Sequence, residues 1–125
     1  MILCDTNIFI HAFNGNEETI AKMKQIGFEN IVLSSITVME LFQGMRNKKE
    51  LELMKTRIKY YDKVEIDSRV SILATGLIET FALSHGLQIP DAIIGATAIT
   101  HEIEIFTYNL KDFQYLPGIK LHLQD

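Results

Sequence analysis

Short apolar runs alternate with amphipathic helical stretches along the chain, and this alternation constrains the fold more than any other feature. The first run, Ile-Leu-Cys after the initial Met, is wholly apolar and is typical of a strand buried on both faces of a parallel sheet. Strands are predicted over 1–4, 31–33, 64–66, 104–106 and 119–121. The pattern therefore predicts a three-layer α/β/α fold with a mostly parallel central sheet of four to five strands.

Helices are predicted between these strands from apolar periodicity and from capping residues. Leu51, Met54, Ile58 and Tyr61 recur at spacings of three and four and mark one helical face. Ser34, Ser35 and Thr37 are candidate caps for a helix that runs to about Phe42. The predicted helices span 8–13, 17–26, 35–42, 48–61, 68–84 and 91–101.

Length and composition limit the class of protein. A chain of 125 residues predicts one domain, 1–125. Its single cysteine excludes an internal disulfide and fits a reducing compartment. No apolar run approaches the roughly 20 residues of a membrane span, and no basic segment precedes the N-terminal apolar run as in a signal peptide. We therefore expect a cytoplasmic protein with no membrane partner.

The net charge of −4 is unevenly distributed. Residues 46–63 contain seven basic and three acidic residues, a charge of +4, which leaves −8 for the rest of the chain. The positive stretch has two interpretations: a surface for an RNA backbone, since phosphate contacts dominate nucleic-acid affinity, or a solvated helix face.

Five polar residues follow predicted strands or open helices. They are Asp5, Glu40, Asp91, Asn109 and Asp112. Residues just beyond the carboxyl ends of parallel strands share one crevice, so these side chains can converge. Clustered carboxylates repel one another unless a cation is present, and oxygen-only ligands suit Mg²⁺ or Mn²⁺. Such a site is typical of phosphoryl chemistry with an activated water.

Each of these residues also has a purely structural interpretation. Asp5 can cap the helix that follows it, and Asp91 beside Pro90 suits a helix start. Thr37 to Glu40 match a capping box, in which the glutamate folds back onto the chain. Residues 109–112 can form a polar turn. Spacing alone leaves both interpretations open.

Four motifs, in order, resemble those of PIN-domain proteins, and their spacing resembles that of VapC-type toxins of toxin–antitoxin pairs. They are MILCDTNIF at 1–9, VMEL at 38–41, IPDAIIGATA at 89–98 and TYNLKDF at 107–113. The resemblance covers essentially the whole chain. It implies a Rossmann-like domain that cleaves RNA with Mg²⁺ or Mn²⁺ and leaves a 3′-hydroxyl and a 5′-phosphate.

The resemblance also implies roles for individual residues. Three acids match the metal-binding positions: Asp5, Glu40 and Asp91. The residues expected to support these carboxylates by hydrogen bonds are Thr6, Asn7 and Thr107. Many family members have an acid at the position of Asn109, which here offers only a neutral oxygen. Asp112 is expected to supply part of that missing charge, and both are counted among the catalytic residues.

The implied partners are an RNA substrate and a small antitoxin that covers the acidic crevice with a basic segment. The resemblance also implies a homodimer, which can join a larger assembly on operator DNA through the antitoxin. One alternative is a PIN fold that binds RNA or protein and whose catalysis is weakened by Asn109. A second is an acid-pocket phosphotransferase, which needs another acid close to Asp5 or a lysine after the fourth or fifth strand, a place that Lys111 and Lys120 fit poorly.

Overall fold

The computed structural model describes residues 1–123 and contains a parallel sheet flanked by helices. The strands are β1 (Ile2–Cys4), β2 (Ile31–Ser34), β3 (Asp62–Val64) and β4 (Glu104–Phe106), in the spatial order β3-β2-β1-β4. All three strand pairings are parallel. The helices are α1 (Thr6–Phe13), α2 (Glu17–Ile26), α3 (Ser35–Gln43), α4 (Lys48–Ile58), α5 (Ser68–His85) and α6 (Ile89–Thr100).

Side chains alternate across the sheet and build one hydrophobic core on each face. Leu3, Val32 and Ile105 point into a core completed by α5 and α6. Cys4 and Phe106, one residue further along their strands, point into the other core, which α1, α2, α3 and α4 complete. These two layers of helices confirm the predicted α/β/α fold with a parallel sheet of four strands.

Two predicted strands differ from the structure. The third strand covers Asp62–Val64 rather than 64–66, because its first two residues lie exposed at the sheet edge and give no apolar signal. The apolar Ile66 packs against a core without joining the ladder. The predicted strand at 119–121 is also wrong: this segment makes a single bridge, between Ile105 and Leu121, which is too little for a strand.

Helix boundaries follow the caps. The side chains of Asp5, Asn16, Ser34, Asn47 and Asp67 each accept a backbone N–H at a helix start. The helix predicted over 48–61 ends at Ile58, and the N–H of Tyr61 closes a turn onto the Ile58 carbonyl at 3.0 Å. The last helix starts at Ile89, two residues earlier than predicted, because Pro90 suits a first turn.

The order of the strands places the ends of β1 and β4 side by side. Cys4 pairs with Phe106, so Asp5 and Thr107 leave neighbouring strands at the same edge. The chain continues from β1 to β2 on one side, while β4 lies on the other. Ligand sites of open parallel sheets lie in the crevice formed at such a switch point. Within residues 1–123 no helix combines the length and apolarity needed to cross a membrane.

Candidate active site at the carboxyl edge of the sheet

Asp5 is the most buried acid of the site, with 4% of its surface exposed. Its backbone N–H donates to the Phe106 carbonyl at 3.0 Å, which ties it to the end of β4. Oδ1 accepts the N–H of Thr6 at 2.7 Å, and Oδ2 accepts the hydroxyl of Thr107 at 2.8 Å. Burial raises the pKa of Asp5, and these two hydrogen bonds counter part of that rise. The capping interpretation of Asp5 is therefore correct, and the residue also lines the acidic cleft.

Glu40 points across to α1 instead of folding back onto its own helix. The hydroxyl of Thr6 donates to Oε1 of Glu40 at 2.8 Å and lies 3.0 Å from the hydroxyl of Thr37. The cap of α3 is Ser34, whose Oγ accepts the Ile36 N–H at 3.2 Å. The capping box at 37–40 is therefore wrong, because the helix begins three residues earlier and leaves Glu40 free to reach α1.

Asp91 lies in the first turn of α6, half-buried against the other acids. Burial raises the pKa of Asp91 to about 6, and the charges of Asp5, Asp112 and Glu40 add to that rise. These four carboxylates come from four different parts of the chain and line one cleft. A carboxyl group with a pKa near 6 can exchange a proton at neutral pH.

Asn109 precedes the 3₁₀ turn Leu110–Asp112 that follows β4, and Asp112 is its last residue. The Asn109 N–H donates to the Thr107 hydroxyl at 2.9 Å, and that hydroxyl in turn donates to Asp5. The polar-turn interpretation is thus correct for the backbone. The same turn nevertheless brings both side chains to the lining of the acidic cleft.

The cleft has a volume of about 340 Å³. Its lining includes the five predicted polar residues together with Thr6 and Asn7; Thr107 lies buried behind Asp5. Asn7 is exposed in the lining, whereas the hydroxyls of Thr6 and Thr107 bond to the carboxylates. Thr37 and Gln43 were not predicted as site residues; they lie three residues on either side of Glu40, at the spacing of one helical face. Gln43 lines the cleft, and the hydroxyl of Thr37 contacts that of Thr6.

The cleft offers oxygen ligands from carboxylates, amides and hydroxyls. Within residues 1–123 no three His, Cys, Asp or Glu side chains are arranged closely enough to form a ready metal site. The described residues that line the cleft include no Lys, Arg or His. The arrangement therefore concentrates negative charge without a basic partner, which fits a hard divalent cation by chemistry.

Several further side chains lie outside the cleft lining. Cys4 is fully buried in β1, and His85 is the last residue of α5. Tyr61 is partly buried and packs edge-to-face on Phe9 with ring centroids 5.3 Å apart, while Tyr60 is 65% exposed. The hydroxyl of Tyr108 lies 2.6 Å from that of Thr19, so this ring joins the loop after β4 to α2.

Comparisons with known proteins agree with this architecture. The family model described as PIN domain matches residues 2–118. The tRNA(fMet)-specific endonuclease VapC of Salmonella typhimurium is 26% identical over 125 residues, which cover 95% of this chain and 94% of the relative. A toxin–antitoxin complex from Klebsiella pneumoniae contains a similar chain, with 29% identity, a TM-score of 0.81 and 95% of each chain covered. The structure of FitAB bound to an IR36 DNA fragment has a chain with 26% identity and a TM-score of 0.81, covering 100% of this chain and 99% of that one.

Proposed function

Because the chain belongs to the PIN domain family, we propose that it is the toxin of a toxin–antitoxin pair and hydrolyses RNA phosphodiester bonds in the cytoplasm. The observation that carries the proposal is the convergence of Asp5, Glu40, Asp91 and Asp112 on one cleft whose described lining holds no basic side chain. The endonuclease name of the Salmonella relative and the toxin–antitoxin complex from Klebsiella support it.

The proposed cofactor is Mg²⁺ or Mn²⁺, held by Asp5, Glu40 and Asp91. Bound there, the ion would supply Lewis-acid stabilisation to the charge that builds on the phosphate. Thr6 and Thr107 keep the carboxylates of Glu40 and Asp5 in place through hydroxyl hydrogen bonds. These bonds orient the carboxylates without neutralising them, so their charge stays available to a cation.

The proton chemistry falls to the less buried acids. Glu40 and Asp91 line the same cleft, where their carboxylates can orient the attacking water and accept its proton. Asn109 contributes a neutral oxygen to the lining, and Asp112 adds charge on the same side. In-line attack of water on the phosphorus would expel the 3′-oxygen of the preceding nucleotide and leave a 3′-hydroxyl and a 5′-phosphate.

RNA cleavage by the purified chain tests this proposal. We expect cleavage of single-stranded RNA with Mg²⁺ or Mn²⁺, none with EDTA, and none for Asp5→Asn, which keeps the helix cap. Asp67→Asn is the matched control, because Asp67 caps α5 outside the cleft. Equal activity of wild type and Asp5→Asn would refute the proposal that this chain cleaves RNA and would indicate a contaminating nuclease. Specific RNA binding without cleavage would favour the alternative of a PIN fold that only binds RNA or protein. Covalent capture of phosphate on Asp5 would favour the alternative of an acid-pocket phosphotransferase.

The proposed partner is a small antitoxin, and a groove beside the cleft supports it. This groove has a volume of about 440 Å³ and is lined mainly by apolar side chains of α1, α2 and α4. A smaller pocket of about 240 Å³ connects the two sites: it shares Glu40 with the cleft and Phe13 with the groove. An antitoxin with apolar residues followed by a basic one could fill the groove and reach the acids.

Co-expression with an antitoxin-like reading frame, where one lies directly upstream, tests this partner. The 38% exposed Ile20 lines the groove, so Ile20→Glu should abolish a stable complex and retain RNA cleavage. Leu83→Glu is the control at a fully exposed position on α5. If Ile20→Glu and wild type form the complex equally well, the antitoxin does not use the groove. The DNA-bound FitAB structure supports a further assembly on operator DNA through the antitoxin.

We also propose a homodimer. Ile72 and Ile89 are 73% and 65% exposed, and Ile89 lines a shallow apolar pocket between α5 and α6. Light scattering should give twice the mass of one chain for wild type and the mass of one chain for Ile89→Glu. A wild-type mass equal to that of one chain would refute the dimer.

A further inference from the structure

The acidic cleft requires a positive group beyond its own lining if it is to bind an RNA strand. Four carboxylates line it, and no Lys, Arg or His does so among the described residues. A divalent cation can offset the charge at the scissile phosphate, yet the neighbouring phosphates of the strand would still meet a negative surface. The nearest basic side chain on a connected surface is therefore a candidate for binding the strand.

Arg46 lies on such a surface. It lines the small pocket that adjoins the cleft, and the two share Ile10, Glu40 and Gly44. Arg46 follows α3 and precedes α4, whose first residues, Lys48 and Lys49, are exposed. Arg46 thus lines a pocket that adjoins the acidic cleft, and in the chain it lies just before the exposed lysines at the start of α4.

Glu50 holds this guanidinium in place. Nη2 of Arg46 donates to Oε2 of Glu50 at 2.6 Å, and Nε donates to the same oxygen at 3.2 Å. The Arg46 side chain is 85% exposed, against 22% for Glu50. Because the guanidinium lies in solvent and Glu50 also accepts the Arg46 backbone N–H at 2.9 Å, a phosphate can replace Glu50 at the guanidinium while the carboxylate keeps that backbone hydrogen bond. The guanidinium fork matches the geometry of phosphate oxygens.

We propose that Arg46 binds an RNA phosphate next to the scissile one, in exchange for Glu50, and that the strand runs from the cleft toward the start of α4. This inference rests on the proposed function for its substrate class. It assigns one end of the 46–63 segment to RNA and makes Arg46 a determinant of affinity, while the hydrolytic step stays with the acids of the cleft.

The first test measures KM and kcat for single-stranded RNA with Mg²⁺, together with fluorescence anisotropy of the same RNA on an Asp91→Asn background that does not cut it. Arg46→Gln should raise KM and weaken binding about tenfold, the loss of one charge-assisted hydrogen bond, with kcat unchanged. The slope of log affinity against log salt should fall by about 0.7, one phosphate contact on a single strand. Arg69→Gln is the matched control, since Arg69 forms an exposed pair with Asp67 at 3.2 Å outside the cleft lining.

The second test distinguishes RNA binding from a structural role of the pair. Glu50→Gln should tighten RNA binding about two- to fivefold, because an exposed ion pair of this kind competes with the phosphate by that amount. The gain should disappear in the double variant with Arg46→Gln. Glu52→Gln controls for the lost negative charge, since Glu52 also lies on α4 and pairs with Lys55 at 3.6 Å.

The two proposals fail in different ways. Wild type that never cleaves RNA refutes the proposed function, whereas the anisotropy measurement still tests Arg46. Equal losses and equal salt slopes for Arg46→Gln and Arg69→Gln would overturn the Arg46 proposal. Weaker RNA binding by Glu50→Gln would also overturn it, since that result follows if the ion pair only supports the fold.

Discussion

Replacing Asp91 by Asn should stabilise the metal-free protein at neutral pH. Asp91 has its pKa raised from 3.8 to about 6 by burial and by the neighbouring acids, so the folded state resists its ionisation. A group with a raised pKa in the folded state contributes stability at low pH that is lost as the pH rises through that pKa. Asparagine keeps the shape and removes the charge, and thus removes this loss.

The magnitude follows from the pKa. A rise from 3.8 to about 6 corresponds to roughly 3 kcal/mol at about 1.4 kcal/mol per tenfold change. Asp91 is only half-buried, so solvent screening reduces the expected gain in unfolding free energy to about 1–2 kcal/mol at pH 7.5. At pH 5, between the two pKa values, the gain should be about half as large.

Thermal unfolding in EDTA at pH 5 and 7.5 measures the effect. Asp91→Asn should raise the Tm by roughly 3–8 °C at pH 7.5 and by less at pH 5. Asp67→Asn is the control, because the N–H of Val70 and the side chain of Arg69 lower the pKa of Asp67 and its neutralisation brings no gain. A lower Tm for Asp91→Asn at pH 7.5, or a gain that does not depend on pH, would refute the electrostatic reasoning.

Three further predictions follow from the same contacts. Mg²⁺ or Mn²⁺ should raise the Tm of wild type in a scan without EDTA, since a ligand specific to the folded state stabilises it, and Asp91→Asn should reduce that rise; an equal rise in both would place the ion elsewhere. Thr107→Val removes the hydroxyl that joins Asp5 to the Asn109 N–H, so it should lower the unfolding free energy measured in urea by about 1–3 kcal/mol. The same variant should move the acid limb of the pH profile of RNA cleavage to higher pH, and Thr107→Ser should restore both properties. Cys4 is fully buried and burial raises the pKa of its thiol, so it should react with Ellman's reagent at pH 8 only after unfolding; a fast reaction of the native protein would contradict the position of β1.

Local patterns in the sequence were sufficient for most of the fold. The apolar runs of β1 and β2 and the helices predicted over 17–26 and 68–84 rest on signals within a few residues, and the structure confirms them. The edge strand β3 could not be placed from the same signal, because Asp62 and Lys63 are exposed and pair only through their backbones with β2. A strand shows an apolar pattern in the sequence because its side chains are buried, and few side chains of an edge strand are buried.

The residue types of the site could be predicted from the sequence, but the contacts between these residues could not. Glu40 fits a capping box by spacing, and only the contact with Thr6, 34 residues away, shows that it serves the cleft. Thr107 reaches Asp5 across 102 residues of sequence. The raised pKa of Asp91 comes from burial and from the charges of three other segments, which no single motif contains. The spacing of these residues in the sequence did not predict that they converge; the family resemblance implied it.

The way each carboxylate is held separates the cleft from the rest of the surface. Glu50 pairs with Arg46 and Glu65 pairs with Lys63, and these cations lower the pKa of both acids. In the cleft, Asp5 is held by a hydroxyl and a backbone N–H, and burial still leaves its pKa raised. Hydroxyls fix the direction of a carboxylate but leave its charge uncompensated, whereas a lysine or arginine at the same place would remove the reason for a cation to bind. Among the described residues the cleft lining holds no basic side chain, whereas Arg46 lines the adjoining pocket. In the proposals above, Arg46 can therefore meet a phosphate of the strand without occupying the place of the proposed cation.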